Sequence, residues 1–242
     1  MLTESATNLG PSDHAASVSP QLLRAVPLFR DLEDEQLIEI AHLVSVQRYR
    51  KHETIVREGD PGESFYVVVA GSVAVVRVAG DGRETILSIL KQNDFFGEMS
   101  IFDTSVRSAS VRALTSADVG IIHRADFLAL IERSPRIGRV LVTALAERLR
   151  AANALIAATT SQDVSARLAT LLLNLSGSFG EPAPNGMRIS LRLTNQEMAN
   201  MIGTTRETVN RTLNRFWDEH LIDMRTSNIV VVEPEKLHAL IP

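Results

Sequence analysis

The spacing of apolar residues changes between Ile122 and Ala125, and that change limits what the chain can build. From Val46 to Ile122 there are short β-rich runs: Thr54–Arg57, Ser64–Ala70, Ser72–Val78, Thr85–Leu90, Ala109–Ala113 and Ala117–Ile122. Turns at Gly59-Asp60-Pro61-Gly62, Ala70-Gly71 and Gly80-Asp81-Gly82 separate them. Short strands at this spacing predict a jelly-roll barrel. Ahead of it, Leu32, Leu37, Ile40, Ala41 and Val44 recur at helical spacing, so residues 21–46 read as two short helices with Asp31 as a cap. After it, Ala125 to Thr160 reads as helix, and Asp163 as the hinge and cap of a further helix over Val164–Leu175. Ser176 to Met187, rich in Gly and Pro, reads as a loop. The fold class is therefore α+β. The expected divisions are a disordered tail (1–20), a barrel domain (21–133), a connecting helix and hinge (134–162) and a C-terminal domain (163–242).

Composition narrows the chemistry. With 242 residues and 45% hydrophobic content the chain can bury a sizeable core. It has no cysteine, which excludes disulfides, a thiolate nucleophile and a cysteine-ligated iron-sulfur cluster. The six histidines show no metal-ligand spacing, so no metal is expected. The amino-terminal residues carry neither a basic nor an apolar signal region. No apolar run reaches the roughly 18 residues of a membrane span, so the expected location is cytoplasmic. A net charge of −4 leaves nucleic-acid binding to local clustering of basic residues.

Phe95 to Ala113, FFGEMSIFDTSVRSASVRA, has the residue types of an anion pocket. Gly97 lets a ligand approach the backbone, Glu98 can accept from a hydroxyl, and Ser100 adds a polar group. Arg107 and Ser108 follow between small residues, so a guanidinium fork and a hydroxyl can converge on a phosphate. On the residues alone Gly97 is more often a turn glycine, Glu98 a solvated acid and Arg107 half of a surface ion pair.

Two further patterns stand out. Val142, Leu145, Leu149, Ala152, Ile156 and Thr159 alternate steps of three and four, the seam of a two-stranded coiled coil or of packing within one subunit. Thr194-Asn195-Gln196-Glu197 and Thr204-Thr205-Arg206-Glu207 read as two capping boxes with Ile202-Gly203 as the turn between their helices, which makes a helix-turn-helix. With Val209, Leu213 and Phe216 facing inward, Thr205, Arg206, Glu207, Asn210 and Arg211 are left to face outward. An arginine suited to guanine stands beside a glutamate suited to cytosine, whereas an ordinary helical hairpin would carry a solvated charged face. Thr226 to Val232, with Asn228 at its turn, reads as a hairpin wing.

The segment around Gly97 is similar to the phosphate-binding cassette of the cyclic AMP receptor protein/fumarate-nitrate regulator family. LTNQEMANMIGTTRETVNRTLNRFWDEHLI is similar to that family's winged helix-turn-helix, and the resemblance spans about Gln21 to Val232. It lies nearest the cyclic AMP receptor proteins. The resemblance implies cyclic AMP as effector, held by Gly97, Glu98, Met99, Ser100, Arg107, Ser108 and Ser88, with Glu98 on the ribose and Arg107 on the phosphate. It implies a homodimer along Val142, Leu145, Leu149, Ala152 and Ile156. Where the family places a Thr-Ser pair against the adenine, this chain has Ala152 and Asn153. Double-stranded DNA with TGTGA-type half-sites is the implied partner, read by Arg206, Glu207 and Arg211, with Thr205 and Asn210 beside them and Thr194 and Arg215 toward phosphates. RNA polymerase is a further implied partner, with Ser176–Met187 as the candidate surface. A same-fold regulator that is active without ligand, or that answers another effector, is the alternative. A regulatory subunit of an enzyme is more remote. No metal cluster, nucleophile-base pair or paired-carboxylate signature supports an enzyme.

Overall fold

The computed structural model describes residues 18–103, 106–161 and 163–241. The first 17 residues of the expected tail, and Gln162 at the expected hinge, lie outside them. Pro20 is not part of a tail but opens helix α1 (Pro20–Ala25), where Ser19 Oγ accepts from the Leu22 N–H at 3.3 Å. A single 3-10 turn, Pro27–Phe29, leads to α2 (Asp34–Leu43). Glu33, not Asp31, caps α2, and its N–H donates to Gln36 Oε1 at 3.1 Å. The cap falls later than predicted because the chain first turns to bury Phe29 and Leu32, leaving Asp31 exposed in that turn.

Next come β1 (Ser45–Tyr49), β2 (Thr54–Val56), β3 (Ser64–Ala70), β4 (Ser72–Val78), β5 (Glu84–Lys91), β6 (Phe95–Phe96), the short α3 (Met99–Phe102), β7 (Ser110–Ala113) and β8 (Ala117–His123). They form two four-stranded sheets, ordered β1-β8-β3-β6 and β2-β7-β4-β5. In the first sheet β3 runs antiparallel to β8, with Val67 opposite Gly120, and slips register between Val68 and Ala70. The sequence pattern missed β1 and β6. The two residues of β6 are too few to show a period, and pairing with Tyr66 and Val67 is what makes them a strand.

The helical stretch after β8 is two helices, α4 (Arg124–Arg133) and α5 (Pro135–Ser161). Pro135 has no N–H to continue α4 and instead starts α5. Phe127 of α4 stacks on Phe65 of β3 at 3.9 Å between ring centroids, both rings fully buried. Burying each such ring stabilises the fold by about 1.5–3 kcal/mol.

Helix α6 (Val164–Phe179) is capped by Asp163, whose Oδ1 accepts from the Ala166 N–H at 2.8 Å. The predicted loop Ser176–Met187 is instead the end of α6 followed by a hairpin, β9 (Gly180–Ala183) and β10 (Gly186–Ile189). Its glycines and prolines concealed this. Pro182 is tolerated because β9 is an edge strand, where a missing donor costs little. Then follow α7 (Asn195–Ile202), α8 (Arg206–Asp218), β11 (Ile222–Asp223), β12 (Val230–Val231) and α9 (Pro234–His238). Residues 226–232 do not fold back on themselves as a hairpin. Strand β12 pairs with β11 and β10 in a sheet ordered β11-β12-β10-β9, and Asn228 Nδ2 donates to the Ile189 carbonyl at 2.7 Å.

The described residues fall into two compact units. One is drawn from residues 1–73, 90–108 and 113–138, the other from 74–89, 109–112 and 139–242. The first has its core around Phe29, Phe65, Ile122 and Phe127. In the second, α6 buries Leu168, Leu171, Leu172 and Leu175, α7 buries Met198 and Ile202, and α8 buries Val209, Leu213 and Phe216.

Candidate functional site

In the first unit the chain leaves β6 through Gly97, whose φ of +85° favours glycine. A Cβ there would sit 2.8 Å from Arg107 Nη1 and 2.9 Å from the Tyr66 ring, so a side chain would displace the guanidinium. Arg107 is only 5% exposed. Its Nη1 donates to the Gly97 carbonyl at 3.0 Å and to Ser100 Oγ at 2.8 Å, and its Nη2 donates to the Ser64 carbonyl at 2.7 Å. The Tyr66 ring, stacked on Phe96, lies 5.3 Å from the guanidinium carbon. The main chain of Arg107 is fixed as well. Its N–H donates to the Asp60 carbonyl at 2.8 Å, and its carbonyl accepts from the Gly59 N–H at 2.9 Å.

Among the described residues, the hydrogen-bond acceptors of this buried cation are neutral oxygens, and they take three of the five N–H groups an arginine carries. A buried charge without an opposite charge is costly, and an anion would relieve that cost. Glu98 and Ser100 are also buried. Met99 is exposed, and Ser108 Oγ lies 3.8 Å from Met99 Sδ. Gly97, Glu98, Met99, Ser100, Arg107 and Ser108 are thus brought together. Ser88, half-buried on β5, and Ala152 and Asn153, exposed on α5, belong to the second unit. The sequence reading missed Tyr66 and the Ser64 carbonyl, because a ring on a neighbouring strand and a main-chain oxygen leave no motif.

On α5, Val142, Leu149 and Ile156 are 66%, 62% and 64% exposed, each one heptad from the next. Leu145 is half-buried and Ala152 exposed, while the side chain of Thr159 lies outside the described residues.

The helix-turn-helix is built on two caps. Thr194 Oγ1 accepts from the Glu197 N–H at 3.1 Å, and Glu197 Oε2 accepts from the Thr194 N–H at 2.8 Å, completing the first capping box. Gly203 turns the chain in the left-handed conformation. The second capping box is not formed as predicted. Thr205 is the cap, and its hydroxyl accepts from the Thr208 N–H at 3.2 Å, so the third helical position holds Thr208 and not Glu207. Glu207 is consequently outside the cap. Its own N–H and the Thr205 hydroxyl, with Arg206 beside it, hold its carboxyl below the usual carboxylate range.

Thr205, Arg206, Glu207, Asn210 and Arg211 are all exposed on α8. Asn210 accepts from Asn195 Nδ2 at 3.1 Å, tying α8 to α7. Arg215 donates to Ser165 Oγ at 2.6 Å and lies 3.8 Å from Glu219. In the described residues no helix is long and apolar enough to cross a membrane, and no group of three or more His, Asp or Glu is placed to hold a metal.

Residues 46–134 match the family described as cyclic nucleotide-binding domain, and residues 166–240 the Crp-like helix-turn-helix domain. The chain is 31% identical over 217 residues to a CRP-like cAMP-activated global transcriptional regulator of Mycobacterium tuberculosis, covering 90% of this chain and 97% of that one. It is 37% identical over 188 residues to the cAMP-activated global transcriptional regulator CRP of Salmonella typhimurium, covering 77% and 89%. A solved structure, the c-di-GMP responsive global regulator of Xanthomonas campestris, superposes with a TM-score of 0.70 at 26% identity, covering 82% of this chain and 99% of that one.

Proposed function

The chain belongs to the cyclic AMP receptor protein/fumarate-nitrate regulator family of DNA-binding transcription regulators, and from that premise we propose that it is a homodimer reading a palindromic TGTGA-type operator under cyclic AMP control. Arg107 carries the effector part of this reading. A guanidinium nine-tenths buried among neutral oxygens suits an anion small enough to reach it, and the cyclic phosphate is such an anion. Within the first unit Gly97, Glu98, Met99, Ser100 and Ser108 complete the sugar and phosphate contacts, with Glu98 accepting from the ribose hydroxyl.

On the operator side, Arg206 donates to guanine, Glu207 accepts from cytosine, and Arg211 reads the next base. Thr205 and Asn210 flank them, and Thr194 and Arg215 lie toward phosphates. Two chains pair along Val142, Leu145, Leu149, Ala152 and Ile156, where burying Val142 and Leu149, 66% and 62% exposed, favours an apolar contact. Two-fold symmetry then sets the half-sites about one helical turn, roughly 34 Å, apart. The working divisions are the sensor (21–133), the dimer helix (134–162) and the DNA-binding domain (163–242). The regulator works in the cytoplasm and meets RNA polymerase at the promoter.

A second reading, an effector other than cyclic AMP or none, is favoured by Ala152 and by the c-di-GMP response of one structural relative. Fluorescence anisotropy of a labelled TGTGA/TCACA duplex, at fixed salt and beside a scrambled duplex, separates the two. Specific binding that tightens with cyclic AMP is expected. Equal specific binding without it sinks the cyclic AMP assignment, and no preference over the scrambled duplex sinks the roles of Arg206, Glu207 and Arg211.

A further inference from the structure

Strand β5 carries Glu84, β7 carries Arg112, and α7, the first helix of the helix-turn-helix, carries Glu197 and Asn200, all within the second unit. Arg112 Nη2 donates to Glu84 Oε1 at 2.9 Å, and Arg112 Nη1 stands 3.6 Å from Glu197 Oε1. Asn200 Nδ2 donates to the same Glu84 oxygen at 3.3 Å. The side chains of Arg112, Glu84 and Glu197 are 16%, 28% and 6% exposed, so salt screens them less than it would a surface pair. Glu197 has a second commitment. Its Oε2 accepts from the N–H and the hydroxyl of Thr194 and so closes the cap of α7. One guanidinium therefore stands between a carboxylate on β5 and the carboxylate that caps α7. Removing it leaves two like charges facing each other, one of them buried.

We infer that Arg112 is a positioning residue, a polar latch holding α7 to strands β5 and β7. Because α7 packs on α8 and is tied to it through Asn195 and Asn210, the placement of the recognition helix depends on this contact. The latch is a discrete contact, made or broken, of the kind through which an effector biases two arrangements. The inference rests on the DNA-binding role of α8 and not on which effector the chain takes.

The chain has no cysteine, so two introduced cysteines can be labelled alone. Spin labels at Thr85→Cys on β5 and Asp218→Cys at the end of α8, both exposed, report their separation by double electron-electron resonance. Labelled chain is diluted into unlabelled chain so that each dimer carries one pair. In Arg112→Met the distance distribution shifts or broadens. Operator affinity of the unlabelled variant changes about 2- to 30-fold, the range expected for residues that modulate coupling. Adding Glu84→Gln removes one of the two facing carboxylates and moves both readouts part of the way back toward wild type. A folded Arg112→Met with an unchanged distance distribution and unchanged affinity overturns the latch. If that variant fails to fold, Glu84→Gln, similar in size and lacking one charge, is expected to shift both readouts in the same direction, and no shift there overturns it equally. A wild-type chain that ignores the operator defeats the DNA-binding reading, while the distance distribution still decides the latch.

Discussion

Arg107 is held to three neutral oxygens, so its positive charge is directed rather than neutralised. Arg107→Gln keeps a polar group but removes the charge and the fork. Charge-assisted hydrogen bonds contribute about 1.5–3 kcal/mol, so calorimetric affinity for cyclic AMP is expected to fall roughly 10- to 150-fold. An unchanged binding isotherm would remove Arg107 from the site. Arg206→Ala is expected to cost about 1–3 kcal/mol against the preferred base and to relax selection at that base pair, measured by competition among single-substitution duplexes. Tyr49 offers a test by pH. Burial, then Tyr66 and Glu53, push its phenol up to about 12. The raised value means that the fold favours the protonated ring. That contribution is fully present below the unfolded value near 10 and is lost as the pH rises toward 12. The chain has only two tyrosines, so in Tyr66→Phe the absorbance at the phenolate band reports Tyr49 alone. Burial, the largest cause, remains in this variant, so no phenolate is expected near pH 10 while the protein stays folded, and a midpoint near 10 in the folded chain would contradict the burial.

At the scale of elements, α8 must stay rigid to present its outer face. Phe216 is fully buried beneath it, so Phe216→Ala is expected to destabilise the protein by about 3–5 kcal/mol in denaturant melts and to weaken DNA binding through loss of the helix. Helix α5 carries the opposite situation, apolar residues left exposed. Leu149→Asp is expected to leave the monomer folded and to shift the sedimentation coefficient toward monomer, because the charge would have to enter the proposed seam. A dimer of unchanged strength would place the pairing elsewhere. These elements were unequally legible. Thr194 and Glu197, three residues apart, announce the start of α7 because their capping is local. The cap of α8 is Thr205, one position after the Thr204 that the sequence pattern suggests, since adjacent threonines both fit the pattern and only backbone geometry distinguishes them. Strands β9 and β10 read as a loop in the sequence. Their composition favours turns, and what makes them strands is pairing with each other and with β12.

At the scale of the whole molecule, a sensor cassette, an apolar helix face and a DNA-reading helix on one chain make a ligand-controlled regulator the economical reading, and it yields one joint expectation. In the same anisotropy titration, Arg107→Gln should lose the response to cyclic AMP while keeping its choice of duplex, and Arg206→Ala should lose the choice while still binding cyclic AMP. Loss of both properties in either variant, with the fold intact, would contradict separate sites. The change from strand to helix period, the helix-turn-helix and the residue types of the cassette are legible in the sequence, because each is written in neighbours a few positions apart. The sequence did not determine that Arg107 would be buried against the Ser64 carbonyl and Tyr66, nor that Arg112 would stand between Glu84 and Glu197. Glu84 and Asn200 touch across 116 residues of chain. Contacts of that span follow from how strands and helices pack, and no local spacing records them.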